Sequence, residues 1–270
     1  MSTLSARSVL VFGALCLAAC SSKSNAKQAG GNAAAGDDGD AVGSSAQASR
    51  IEEMLYSPVT TSDPAAAASS LAAAQWWPAG CATRSKDPSN PSVVHIHLTS
   101  CTGPFGIRSH SGDITVVFSA TAGGGLHAQA TSSDMTINGH PVTFSRDADI
   151  TVDGTTRTVH STGAWTRVND GGETVSHTGD FVTVLDTAAR CRTTNGTGIT
   201  MVGSREIDAS VRDYKLCRKA DGTEGCPSGE VTHVRKAKGD TVTIKFDGSA
   251  QAAVTGPRGE TVEVELVCLP

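Results

Sequence analysis

His95 and His97 flank Ile96 in the run Val93-Val94-His95-Ile96-His97-Leu98-Thr99. On a strand, the two-residue period sets both imidazoles and Thr99 on one face and Val94, Ile96 and Leu98 on the core face. Two imidazoles so placed can chelate one metal ion, as in several zinc hydrolases. The sequence locates no third ligand, and no H-E-x-x-H or similar string occurs. The plainer expectation is a polar strand face in solvent, with no carboxylate, cysteine or third histidine within ligand distance of either ring. Nucleophilic hydrolysis has less behind it: there is no G-x-S-x-G elbow and no Gly-rich phosphate loop ahead of a helix. A non-enzymatic role without a cofactor is therefore expected. The enzymatic alternative is a metal-dependent hydrolase using His95 and His97.

Eight cysteines remain to be placed. Cys16 and Cys20 lie in or beside an apolar leader, leaving Cys81, Cys101, Cys191, Cys217, Cys226 and Cys268. No C-x2-C pair exists among them, so disulfides are expected rather than a metal cluster. Cys81 and Cys101 stand apart from the other four and should pair. For the rest, Cys217 with Cys226 closes a short turn-rich loop and leaves Cys191 for Cys268. The competing arrangement pairs Cys191 with Cys217 across a hairpin centred near Ser204, and Cys226 with Cys268.

The leader carries Arg7, an apolar run from Val9 to Leu17, and then Leu17-Ala18-Ala19-Cys20. The apolar run is too short to span a bilayer. The last four residues resemble the lipobox of bacterial lipoproteins. The resemblance covers only the first twenty or so residues. It implies that residues 1–19 are a cleaved signal peptide and that Cys20 is acylated. Because each buried methylene contributes about 0.8 kcal/mol, several chains would hold the protein durably where one would not. Ser21, by the same resemblance, directs the product to the outer membrane of the cell envelope.

Residues 20–49 are rich in Ser, Ala, Gly, Asn and Asp and cannot bury enough surface to offset ordering entropy. A flexible tether with a reach of roughly 30 Å is expected, its Asp37, Asp38 and Asp40 being solvated linker charges. Without residues 1–19, which include Arg7 and no acid, the formal charge moves from −5 to −6. That balance gives no reason to expect a nucleic-acid partner. The partners implied are the membrane, through Cys20, and an unidentified envelope protein or ligand.

Residues 50–270 read as one disulfide-stapled, β-rich domain. Aromatics are 4% of the chain, so Val, Ile, Leu and Ala must build its core. A helix is expected from Pro64 to Trp77, capped by Asp63, with Trp76 and Trp77 packing at its end, and a weaker helical turn over Ile51–Tyr56. From Val93 onward short alternating stretches are separated by turn pairs: Asn138-Gly139, Asp153-Gly154, Asp170-Gly171-Gly172, Asn195-Gly196 and Asp247-Gly248. This pattern predicts an all-β fold, a curved antiparallel meander forming a sandwich or half-barrel, preceded by one short helix. Such a curved sheet could also cup a ligand, so a lipid or hydrophobe carrier is a further alternative.

The stretch beginning Thr158-Val159-His160 recurs sixteen residues later as Thr174-Val175-Ser176, and the copies read as successive strands. Trp165 and Phe181, at equivalent positions in them, are expected to be buried. A second echo, Thr102-Gly103-Pro104 and Thr255-Gly256-Pro257, reads as a Gly-Pro turn before a strand. A two-residue turn at Asp153-Gly154 sets Ala148 opposite Val159, Phe144 opposite Gly163 and Val142 opposite Trp165. A three-residue turn at Asp170-Gly171-Gly172 sets Gly163 opposite Gly179 and Trp165 opposite His177. Phe144, Gly163 and Gly179 would then form one row. The sheet should bend at the glycines, with its concave side filled rather than empty.

Overall fold

The computed structural model describes residues 55–56, 58–74, 78–101, 109–169, 171–218 and 225–266. Outside these lie the leader, Cys20, the tether with its aspartates, Trp76, Trp77, the segment 102–106, Asp170 and Cys268.

One helix, α1 (Pro64–Ala73), precedes the strands. Asp63 caps it, its Oδ1 accepting from the Ala66 N–H at 2.6 Å, and Pro64 occupies a first-turn position where no N–H is required. The helix is shorter than the Pro64 to Trp77 span expected, because Ala74 is already extended (φ −61°, ψ 145°). Leu55 and Tyr56 are helical, while the rest of the expected Ile51–Tyr56 turn lies outside the described residues.

The strands are β1 (Ala82–Lys86), β2 (Val93–Cys101), β3 (His110–Ala120), β4 (Leu126–Ile137), β5 (His140–Asp153), β6 (Thr156–Val168) and β7 (Thr174–Asp186). They continue as β8 (Cys191–Val202), β9 (Arg205–Cys217), β10 (Ser228–Arg235), β11 (Asp240–Asp247), β12 (Gln251–Thr255) and β13 (Thr261–Glu265). All thirteen form one open antiparallel sheet in chain order, so each strand pairs only with its sequence neighbours. This is the expected meander.

Alternation divides the sheet into two faces. Val94, Ile96, Leu98, Ile114, Val116, Phe118, Leu126, Ala128 and Ile150 are buried on the inner face. There they join Leu55, Tyr56, Val59, Ala67, Ala68 and Leu71 in one core. Residues 55–56 and 58–73 thus cover the inner face of the first strands, and α1 packs on β1, β2 and β3. Arg157 on β6 reaches back to these residues, donating from Nη1 to the Val59 carbonyl at 2.7 Å. A second small core of Ile244, Phe246, Ala252 and Leu266, with Tyr214 edge-on to Phe246, holds the last strands.

The hairpins follow the turn signals with two corrections. Asn138-Gly139 is the two-residue turn between β4 and β5, as expected. Between β5 and β6 the turn is Gly154-Thr155, since Asp153 pairs with Thr156. Every pairing there moves by two: Phe144 faces Trp165, Ile150 faces Val159, and Arg146, not Phe144, faces Gly163. A shift of two leaves each side chain on its face, so the hydrophobic pattern could not detect it. Gly163 opposite Gly179 and Trp165 opposite His177 are as expected. The second correction is Asn195-Gly196, which lies inside β8 rather than at a turn.

That position faces a bulge. Between Thr194/Tyr214 and Gly196/Val211, β9 carries one more residue than β8, and Asp213 takes φ +48°. The Asp213 N–H donates to Asn195 Oδ1 at 2.7 Å. On the other side Gly229 (φ +113°) meets Asp213 so closely that a Cβ would stand 2.3 Å from its carbonyl oxygen. The extra residue brings Cys217 directly opposite Cys191, and the two are disulfide-bonded with Cα atoms 4.0 Å apart. Pairing of Cys217 with Cys226, and of Cys191 with Cys268, is thereby overturned. Cys81 and Cys101 pair as expected, Cα atoms 5.2 Å apart, and Cys226 is itself disulfide-bonded.

Gly179 faces Gly198 as well as Gly163, so three glycines stand in one row across β6, β7 and β8. A Cβ on Gly163 would lie 2.5 Å from Arg146 Cγ and 2.6 Å from the Ser145 carbonyl oxygen, which is backbone and cannot move aside. Gly163→Ala should therefore destabilise by about 1–3 kcal/mol. Gly123→Ala, in open space, should change stability by no more than about 0.5 kcal/mol. Urea unfolding of both variants tests the packing; equal effects would contradict it.

Candidate functional site

His95 and His97 lie on the outer face of β2, as their spacing requires, and both are exposed. Each has a carboxylate within hydrogen-bonding distance, contrary to the expectation that none would be near. His97 Nδ1 is 2.8 Å from Asp113 Oδ1, and His95 Nε2 is 3.4 Å from Asp87 Oδ2, with His95 Nδ1 3.2 Å from Thr115 Oγ1. The Ser89 hydroxyl and N–H, helped by His95, hold the Asp87 carboxyl down at about 2. The two imidazoles thus use separate carboxylates instead of converging. Among the described residues no group of three or more His, Cys, Asp or Glu is arranged to hold a metal ion. The same cross-strand device recurs outside: His127 contacts Asp149 at 2.9 Å and Asp147 at 3.4 Å, and His160 contacts Asp180 at 2.8 Å.

The inner face carries the opposite charge. Arg146, Arg157, Arg167, Arg192, Arg205 and Arg235 occupy inward positions between β5 and β10, and no inward position of these strands is Asp or Glu. Two of these arginines meet acids at strand ends: Glu173 holds Arg205 through two oxygens, and Asp240 lies 3.2 Å from Arg235. Polar side chains concentrate about the glycine row. Arg146, Ser161, His177, Thr200 and His233 are all buried, none more than 2% exposed. Register puts Arg146, Gly163, Gly179, Gly198, Ala209 and His233 in one line.

Side chains lie down over the glycines. Arg146 Cγ covers Gly163, the Phe181 ring covers Gly179 and Gly196, and the His177 ring covers Gly179 and Gly198. Trp165 lies beside His177 with ring centroids 6.0 Å apart, and Arg167 stacks over Trp165 at 5.7 Å. Trp165 and Phe181 are thus buried as expected. The glycine notch is filled by Arg146, His177 and Phe181, not by Phe144.

Burial decides the charge here. It lowers the Arg146 guanidinium to about 10. It lowers His177 to about 4, aided by the charges of Arg146 and His233. His233 is lowered to about 4 by burial alone. His177 Nδ1 is 3.0 Å from Thr200 Oγ1. His177 Nε2, His233 Nε2 and Trp165 Nε1 are buried without a hydrogen-bond partner among the described residues. Sequence reasoning placed Trp165 opposite His177 but missed the cluster. Its visible trace was Arg146, the one charged residue among the apolar inward positions of β5.

No protein-family model, curated protein or solved structure matches the chain. The fold and this cluster define its class: an open antiparallel meander with an acidic outer face and a cationic, partly polar inner one.

The two histidines make stability depend on pH. In the unfolded chain they bind protons near 6.5, in the fold only near 4. The unfolded state therefore holds more protons between these values, and their contribution, full above about 6.5, is lost as pH falls to about 4. The loss is on the order of 3 kcal/mol per histidine. Urea unfolding between pH 7.5 and pH 4 should show this slope, and His233→Leu should remove about half of it. An unchanged slope in the variant would refute the assignment.

Proposed function

We propose that the protein is an exported lipoprotein anchored in the cell envelope through Cys20, with a folded part that binds an envelope partner or supports surface structure without catalysis. The observation that carries this is the string Leu17-Ala18-Ala19-Cys20 ahead of a chain whose cysteines form disulfides. Disulfides persist in oxidising compartments, which is where a lipobox sends its protein. Among the described residues no helix is long and apolar enough to cross a membrane, so acyl chains at Cys20 would supply the attachment. Ser21 after the cysteine favours the outer membrane.

Two features favour partner binding over the alternatives. The inner face of the first strands is occupied by the protein's own residues 55–56 and 58–73, which leaves less of it for a bulk hydrophobe. The outer face, with its His–Asp pairs and exposed threonines, is the broad surface open to a partner. The separate carboxylates of His95 and His97 weaken the hydrolase alternative.

Cys20→Ala should abolish incorporation of labelled palmitate and shift the protein from the detergent phase to the aqueous phase, or leave it as unprocessed precursor. Wild-type protein that fractionates as aqueous without detergent would sink the anchor.

A further inference from the structure

We propose that the glycine row and the side chains above it form a binding site for a carboxylate group, a role independent of the anchor and of any partner on the outer face. The first observation is unmet hydrogen-bonding capacity. Among the described residues, His177 Nε2, His233 Nε2 and Trp165 Nε1 have no hydrogen-bond partner, and their residues are 1%, 2% and 2% exposed. Buried polar groups left dry cost about 1–3 kcal/mol each, so a site that retains three of them is built to be met by something polar.

The sign of that group follows from chemistry. Trp165 Nε1 can only donate. If the Thr200 hydroxyl donates to His177 Nδ1 across their 3.0 Å contact, Nε2 carries the ring proton and donates as well. Both imidazoles are neutral, so neither excludes a ligand by charge at pH 7. Arg146 adds a full positive charge close enough to act on His177, and the inward positions of β5 to β10 contribute no acid. A cation would be repelled here, whereas an anion meets donors and positive potential together.

Shape narrows the class. A Cβ at Gly179 or at Gly198 would each stand 3.2 Å from His177 Nε2, so this nitrogen lies over the two glycines, beside the Phe181 ring that covers Gly179. A planar group with two acceptor oxygens can take donors from Trp165 and His177, which face each other on adjacent strands. Phe144, Phe181 and the Trp165 ring offer apolar contact to whatever carbon the carboxylate carries. A free small carboxylate and the head of a fatty acid share this chemistry.

The test is nitrogen-15 NMR of histidine-labelled mature protein in chloride-free buffer, titrated separately with sodium acetate, sodium laurate and sodium chloride. Saturable shifts of the His177 and His233 Nε2 signals are expected with a carboxylate and not with chloride. A response to acetate identifies a small free carboxylate, and a response to laurate alone identifies a fatty-acid head. His177→Phe and Trp165→Phe should each weaken binding about tenfold or more, the loss of one hydrogen bond to a charged group. Should His177→Phe not fold, Trp165→Phe decides. Absence of a saturable shift with either carboxylate, an equal response to chloride, or unchanged affinity in Trp165→Phe would overturn the proposal.

Discussion

Side-chain alternation, carried without interruption from β1 to β13, is the constraint on which the molecule depends. Each strand has only its sequence neighbours for partners, so the facing of every residue is inherited across successive ladders. A slip of one residue anywhere in the middle would turn arginines and histidines outward and bring Asp147, Asp149 and Asp180 into the core. The separation of an acidic outer face from a cationic inner one is thus a property of register as much as of composition. Burial of Arg146 under 2% exposure is tolerable only because β5 surrounds it with apolar neighbours that fix this register, from Val142 to Ile150.

Irregularities then shape the sheet. The glycine row lets side chains lie flat where a β-carbon would hold them off, and the residues that lie there come from the inner face itself. The bulge at Asp213 has a longer reach. Without its extra residue, β9 would offer Leu216 rather than Cys217 to Cys191, and the disulfide could not close. Asn195 pays for the disturbed ladder by accepting the Asp213 N–H. A backbone kink, a side-chain hydrogen bond and a covalent link are in this way parts of one local solution.

The two histidine populations illustrate how position sets chemistry. His95, His97, His127 and His160 lie outside, each close to an aspartate across or beside its strand. His177 and His233 lie inside and are held neutral by desolvation. Identical side chains serve as surface pairing groups in one place and as dry hydrogen-bonding groups in the other, and the parity of the strand position selects between them.

The amino-acid sequence by itself determined the antiparallel meander, the faces of β2, the cap and start of α1, the Cys81–Cys101 disulfide and the pairing of Gly163 with Gly179. These rest on local rules: period-two alternation, capping chemistry and turn residues act over a few positions. What only the tertiary structure decided are quantities that local rules leave degenerate. Moving the β5–β6 turn by one residue alters the pairing by two and preserves both faces, so Arg146 rather than Phe144 arrives at Gly163. Asn-Gly suits a turn or an interior strand position facing a bulge, and strands on both sides of β8 settle which. The polar cluster draws one or two residues from each of five strands, β5 to β8 and β10, spanning Arg146 to His233. Residues so far apart in the chain become neighbours only when the sheet has formed, because cross-strand contact and burial are long-range properties that no short stretch encodes.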